Sequence, residues 1–91
     1  MHHINPLAFV RERSFDKEIK RLAGNYSRMH EFDLAVEWAI SHNPKQFPNI
    51  CEDYYIWKTE RIITGVPQLI IIYQYIESEN KVIFVSVCEV K

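Results

Sequence analysis

The chain has 91 residues, of which 47% are hydrophobic and 13% aromatic, with only two glycines; that composition excludes a disordered chain, and the length excludes a second domain beside one spanning residues 1–91. The formal charge is -1, so the chain lacks the basic surplus with which nucleic-acid-binding proteins neutralise phosphate. The longest apolar stretch, Leu69 to Tyr73, is far too short to span a bilayer.

The opening Met1-His2-His3-Ile4-Asn5-Pro6 lacks the basic-then-apolar layout of a signal peptide. Leu7-Ala8-Phe9-Val10 then reads as a first strand. Ser14 is an N-cap residue type, and from Phe15 the pattern turns helical. Phe15, Ile19 and Leu22 fall at i, i+4 and i+7, with Asp16, Lys17, Lys20 and Arg21 on the other faces. Gly24-Asn25 supplies a stop. From Arg11 to Glu31 there are six basic residues (Arg11, Arg13, Lys17, Lys20, Arg21, Arg28) and four acidic ones, a local net of +2, which leaves -3 for the rest. Two readings fit this asymmetry: a solvated helix face, or a surface (Arg13, Lys17, Lys20, Arg21) that meets an acidic partner.

A second helix is expected from about Met29 to His42. Met29, Phe32, Val36 and Ala39 form one stripe with Ile40 beside it, and Leu34 and Trp38 are expected to widen that apolar face. Asn43-Pro44 ends it, because a residue before proline disfavours helical dihedrals. Two helices with a short link form an αα-hairpin.

The second half reads as sheet. Tyr54 to Thr59 is aromatic and β-prone. Val66 to Ile76 is largely apolar, with Pro67 near its start, where proline is tolerated. Leu69-Ile70-Ile71-Ile72-Tyr73 has no alternation, so both of its faces are at least partly covered and it is the expected central strand. Glu77-Ser78-Glu79-Asn80 is a polar hairpin loop before a last strand, Lys81 to Val90. In that strand Ile83, Val85 and Val87 are expected to point one way, and Val82, Phe84, Ser86 and Cys88 the other. The order is β-α-α-β-β-β: an α+β fold with a two-helix hairpin on one face of a small, mostly antiparallel, four-stranded sheet.

Cys51 and Cys88 match no zinc or thioredoxin-type spacing. Two thiols without a secretion signal imply a reducing, cytoplasmic setting, with Cys88 expected to be buried in its strand. His30 and His42 lie at the two ends of one helix, so they cannot share a metal, and His2-His3 sits at a terminus. Glu52-Asp53 lacks calcium-loop spacing. There is no glycine-rich phosphate loop and no Gly-x-Ser-x-Gly element. No metal or cofactor is implied. Trp38, Trp57, Tyr54, Tyr55 and Tyr75 are many rings for a small chain. Most belong in a core, and exposed ones mark a partner surface. Tyr54 and Tyr75 are the candidates, since neighbouring strands could bring them together.

Four stretches in this order resemble the RelE/ParE toxin family. They are Phe15-Asp16-Lys17-Glu18-Ile19-Lys20-Arg21-Leu22, similar to the family's first helix, and Ala39-Ile40-Ser41-His42-Asn43-Pro44, similar to the end of its second. Gly65-Val66-Pro67-Gln68-Leu69-Ile70-Ile71-Ile72-Tyr73 is similar to the strand that ends in tyrosine, and Asn80-Lys81-Val82-Ile83-Phe84-Val85-Ser86-Val87 to the last core strand. The resemblance implies the toxin half of a type II toxin–antitoxin pair, with an antitoxin that wraps it by a helix or an extended segment. It implies either messenger-RNA cleavage on the ribosome or poisoning of DNA gyrase.

The chain departs from the family's nuclease pattern. Ile70 stands three residues before the strand tyrosine, where the family often has an arginine that holds phosphate. Cys88-Glu89-Val90-Lys91 stand where nuclease members often carry histidine, tyrosine or arginine, and the overall charge is not basic. Cleavage through a 2′-hydroxyl needs a base, an acid and a positive group for the phosphorane. The remaining cluster with those types is Lys58, Glu60 and Arg61, with Tyr73 matching the strand tyrosine as either core or site. Mixed charges at a strand end also read as a solvated surface. Three functions follow: a toxin-like protein that acts by binding, a ribosome-dependent endoribonuclease, and an interaction module that forms a homodimer.

Overall fold

The computed structural model describes residues 7–59 and 67–90. Its elements run β1 (Ala8–Arg11), α1 (Arg13–Asn25), α2 (Met29–His42), β2 (Asn49–Cys51), β3 (Tyr54–Lys58), β4 (Leu69–Ile76) and β5 (Lys81–Glu89). One five-stranded sheet has the order β1-β5-β4-β3-β2. β1 pairs parallel with β5, and the other three pairings are antiparallel. The α+β class, the helix hairpin and the central place of β4 are as expected.

The strand count is one short of the structure. β2 has three residues, all exposed, so it carries no apolar alternation to betray it. It forms because Glu52 takes a positive φ of 45°, which lets the chain reverse over two residues and pair Cys51 with Tyr54. The Asn49 side-chain amide donates to the carbonyls of Glu52 and Tyr54 at 2.9 and 2.8 Å and braces the turn.

The helices cover one face of the sheet. From α1 come Phe15, Ile19 and Leu22, from α2 Met29, Val36 and Ile40, and from the sheet Tyr55, Leu69, Ile71, Tyr73, Val82, Phe84 and Val87. The i, i+4, i+7 spacing of α1 therefore does what it predicts. Its first residue is Arg13, with Glu12 at the N-cap and no side-chain cap bond. Ser14 leans its hydroxyl toward the Val85 carbonyl instead. In α2 the expectation for two residues fails: Leu34 and Trp38 are 60% and 66% exposed. At 100° per residue the stripe of Met29, Val36 and Ile40 points opposite to them.

β5 departs from strict alternation. Tyr73 faces Phe84 while Ile72 faces Ser86, so Val85 is an extra residue, a β-bulge. The bulge exchanges the two faces beyond it. Val87 joins Val82 and Phe84 in the core, whereas Ser86 is half-buried and Cys88 is exposed. Both the expected grouping of Val82, Phe84, Ser86 and Cys88 and the burial of Cys88 are corrected by this one inserted residue.

Candidate functional site: the open face of the sheet

The strands present their second face away from the helices. Tyr54, Ile56 and Lys58 on β3 stand opposite Gln74, Ile72 and Ile70 on β4. Those continue to Ile83, Ser86 and Cys88 on β5, and Ile83 to Val10 on β1. Ile56, Ile70, Ile72, Ile83 and Val85 are half-buried and Val10 is exposed; none of them packs against the helix-side core. Antiparallel sheets ordinarily place polar residues on such a face. Here β4 keeps isoleucine on both faces, which is why its sequence shows no alternation.

Apart from Ser86, opposite Ile72, the polar groups sit toward the ends of this face. At one end Lys58 is exposed and forms no ion pair among the described residues. It is positioned by Thr59, the only buried polar residue described. The Thr59 hydroxyl accepts the Leu69 N–H at 2.8 Å, and its own N–H donates to the Leu69 carbonyl at 2.9 Å, clamping the end of β3 to the start of β4. Toward the other end the Gln74 amide donates to both carboxylate oxygens of Asp53 at 3.1 Å. Lys81 lies 3.4 Å from Glu79.

The remaining described candidates are dispersed. Glu60 and Arg61 lie outside the described residues. Tyr73 is fully buried on the helix side, stacked on Tyr55 with ring centroids 5.4 Å apart. Its hydroxyl donates to the Pro44 carbonyl at 2.6 Å. Burial, and then the neighbouring Tyr55, push its pKa up. Tyr73 thus lies in the helix-side core. Tyr54 and Tyr75 are on adjacent strands but opposite faces. Tyr54 is on the open face, and Tyr75 packs on the helix-side core, so they do not form one surface.

On α1, Arg13, Lys17, Lys20 and Arg21 are all exposed. Lys20 pairs with Asp16 at 3.1 Å, and the Arg21 Nε donates to Glu18 at 2.7 Å. That hydrogen bond is the main reason the Glu18 carboxyl sits below its usual range. Two of the four cations are thus held by α1's own carboxylates, and Arg13 and Lys17 pair with no described acid. Arg11, counted in the same basic stretch, turns inward. Its guanidinium donates to Asp33 at 2.8 Å and Glu37 at 2.5 Å on α2 and lies over the rings of Phe15 and Phe84 at 5.5 and 5.7 Å. This clamp was missed because nothing in a linear sequence places Arg11 beside residues 22 and 26 positions away. The spacing of Asp33 and Glu37, four apart on one helix face, was the available signal.

Among the described residues, no three of His, Cys, Asp and Glu gather as a metal set, and no helix is long and apolar enough to cross a membrane.

A helix hairpin lies over one face of a sheet whose antiparallel strands are closed by a parallel edge strand, and the comparison with solved structures makes this a RelE-like fold. Among solved structures, the chain is similar to the intact RelBE toxin–antitoxin complex of E. coli, with a TM-score of 0.66 and 18% sequence identity over 93% of this chain and 98% of that one. No family profile matches the chain, and no curated protein does.

Proposed function

We propose that this chain is the toxin-like component of a type II toxin–antitoxin pair and that it acts by binding a protein through the open face of its sheet. The likeness of the fold to the RelBE complex supports the toxin-like part of this reading. The observation that carries the binding part is the chemistry of the face: five half-buried aliphatics and Val10 fill it, with Lys58 at one end and the Glu79-paired Lys81 near the other. A cleavage site must gather an acid, a base and cations around one phosphate. Exposed aliphatic area of this kind instead stabilises protein contact. An antitoxin that wraps the domain would cover the same area and keep the target off. DNA gyrase is one such target class.

Induced expression in a bacterial host, with primer-extension mapping of cellular RNA, tests this. The expected result is growth arrest without new RNA ends, relieved by Ile72→Lys. That substitution places a charge in the middle of the face, at a half-buried position outside the helix-side core, and lowers target affinity by at least about tenfold. Codon-aligned RNA ends would establish the ribonuclease reading instead. The free Lys58 at the end of the face favours that second reading, with Glu60 and Arg61 beside it in sequence. Under it, Arg61→Ala or Lys58→Ala abolishes the arrest and the protein stays folded. No arrest in any host would leave an interaction module.

A further inference from the structure

The open face of the sheet is complementary to itself. Its rows cross the strands through Gln74, Ile72 and Ile70 of β4. The first row begins at Tyr54 on β3, the second at Ile56 and the third at Lys58. Lys58 forms no ion pair among the described residues, and neither does Asp53. Asp53 directly precedes β3, and the Gln74 amide holds its carboxylate to the first row by donating to both oxygens at 3.1 Å. The β3 side of the face therefore carries an anion at one end and a cation at the other, about 17 Å apart along the strand. Lys81, beyond the first row, is occupied by Glu79.

A two-fold axis midway between two such faces, crossing the strands at the level of the second row, turns this pattern onto itself. The strands of the two copies then run antiparallel, with β3 over β3. Ile56 and Ile72 meet their own counterparts. The first row lies on the third, so Lys58 of each copy meets Asp53 of the other. On β5, Ile83 of each copy lies over Cys88 of the other, since they occupy the first and third rows.

We infer that the open face closes on the open face of a second copy of this chain, sheet on sheet, with the strands antiparallel. Sheets pack face to face about 10 Å apart, with strand directions within about 30°. An extended segment laid on an aliphatic face would leave its N–H and C=O groups without partners. A helix or a second sheet brings those groups already bonded, and of the two the second copy also matches the charges at both ends of β3. The area fits as well. The side chains of the three rows, with Val10 and Val85, leave on the order of 600 Å² per copy to solvent, or about 1,200 Å² in total, the lower end of specific stable interfaces. The dimer is therefore reversible, and it covers the aliphatics assigned above to a target. That competition rests on the target-binding reading; the self-association does not.

Sedimentation velocity on the full chain, from about 1 µM to about 1 mM, tests the assignment. The wild type is expected to shift from monomer to dimer. Lys58→Asp and Asp53→Lys each weaken association at least tenfold, because each sets like charges together at two symmetric places. The double variant restores association because the facing charges are exchanged, a recovery that loss of the fold could not produce. Cys88 reports where the contact lies: in Cys51→Ser protein its reaction with a thiol-specific reagent slows several-fold as the dimer forms, and Lys58→Asp returns the rate to that of the monomer. A wild type that stays monomeric throughout overturns the inference. So does a double variant no better than the worse single one, or a Cys88 rate indifferent to association. A dimer with all these responses, in a protein that arrests no host, upholds the inference and sinks the target reading.

Discussion

Removing Arg11 is expected to destabilise this protein more than removing any other arginine described. The guanidinium meets two carboxylates, Asp33 and Glu37, and its side chain is 24% exposed against 17% and 32% for theirs. Exposed ion pairs contribute about 0–1 kcal/mol, whereas breaking a buried one costs about 3–5 kcal/mol. This clamp lies between those limits. Burial pulls the Arg11 pKa down, and the hydrogen bonds and charges of Asp33 and Glu37 more than reverse it, so the net shift is upward. Contact with the Phe15 and Phe84 rings adds about 0.5–1 kcal/mol. Arg11→Ala also leaves two like charges facing each other without a cation. The expected loss is about 2–3 kcal/mol, which for a domain of this size lowers the melting temperature by roughly 10–20 °C. Urea unfolding followed by tryptophan fluorescence reads it as a lower midpoint with an unchanged slope. Adding Asp33→Asn and Glu37→Gln to Arg11→Ala recovers part of the loss, because the repulsion is gone. A loss below about 0.5 kcal/mol, in the range of a surface pair, would refute the claim that this clamp ties β1 to α2. A triple variant no more stable than Arg11→Ala would refute the repulsion part.

Two further outcomes follow from buried Tyr73 and from the bulge in β5. The Tyr73 phenol titrates higher in the folded chain than the usual value of about 10 for a free tyrosine. Its stabilisation is therefore complete below pH about 10 and declines as the pH rises above that, by up to about 1.4 kcal/mol per pH unit for this one proton. Tyr73→Phe removes that component of the alkaline slope, at a cost of roughly 1 kcal/mol at neutral pH for the bond to Pro44; urea midpoints from pH 8 upward compare the two, and identical slopes would contradict the assignment. Cys51 and Cys88 are both exposed, so a thiol-specific chromogenic reagent should modify two thiols in the native protein without denaturant. One fast thiol and one that waits for unfolding would mean that the bulge at Val85 does not turn Cys88 outward.

The elements with a strong period were legible in the sequence. α1 shows its buried face at Phe15, Ile19 and Leu22, and β4 announces its central place by an unbroken apolar run. What the sequence concealed has specific causes. β2 depends on a positive φ at Glu52, a residue type that rarely takes one, so no turn signal marks it. The bulge at Val85 is one residue in length and leaves composition unchanged, yet it reverses every side chain after it. α2 carries apolar residues on opposite sides, and period alone cannot say which side is buried; the neighbours of Met29, Val36 and Ile40 decide it. The candidate site was half legible. Lys58 was named from the sequence and lies on the open face, and Ile70 was read as a lost cation position. The aliphatic character of the face as a whole was visible only as the missing alternation of β4, which by itself also fits a strand covered on both sides.

That missing alternation bears on how contacts could be combined. An aliphatic sheet face left in water favours edge or face aggregation, so its chemistry suits a partner that covers it. Leu34 and Trp38 on α2 point away from the core, and the open face lies on the far side of the sheet from α1 and α2. A helix layer packs about 10 Å from the sheet, so the two surfaces are separated by the full thickness of the domain, and occupying one does not block the other.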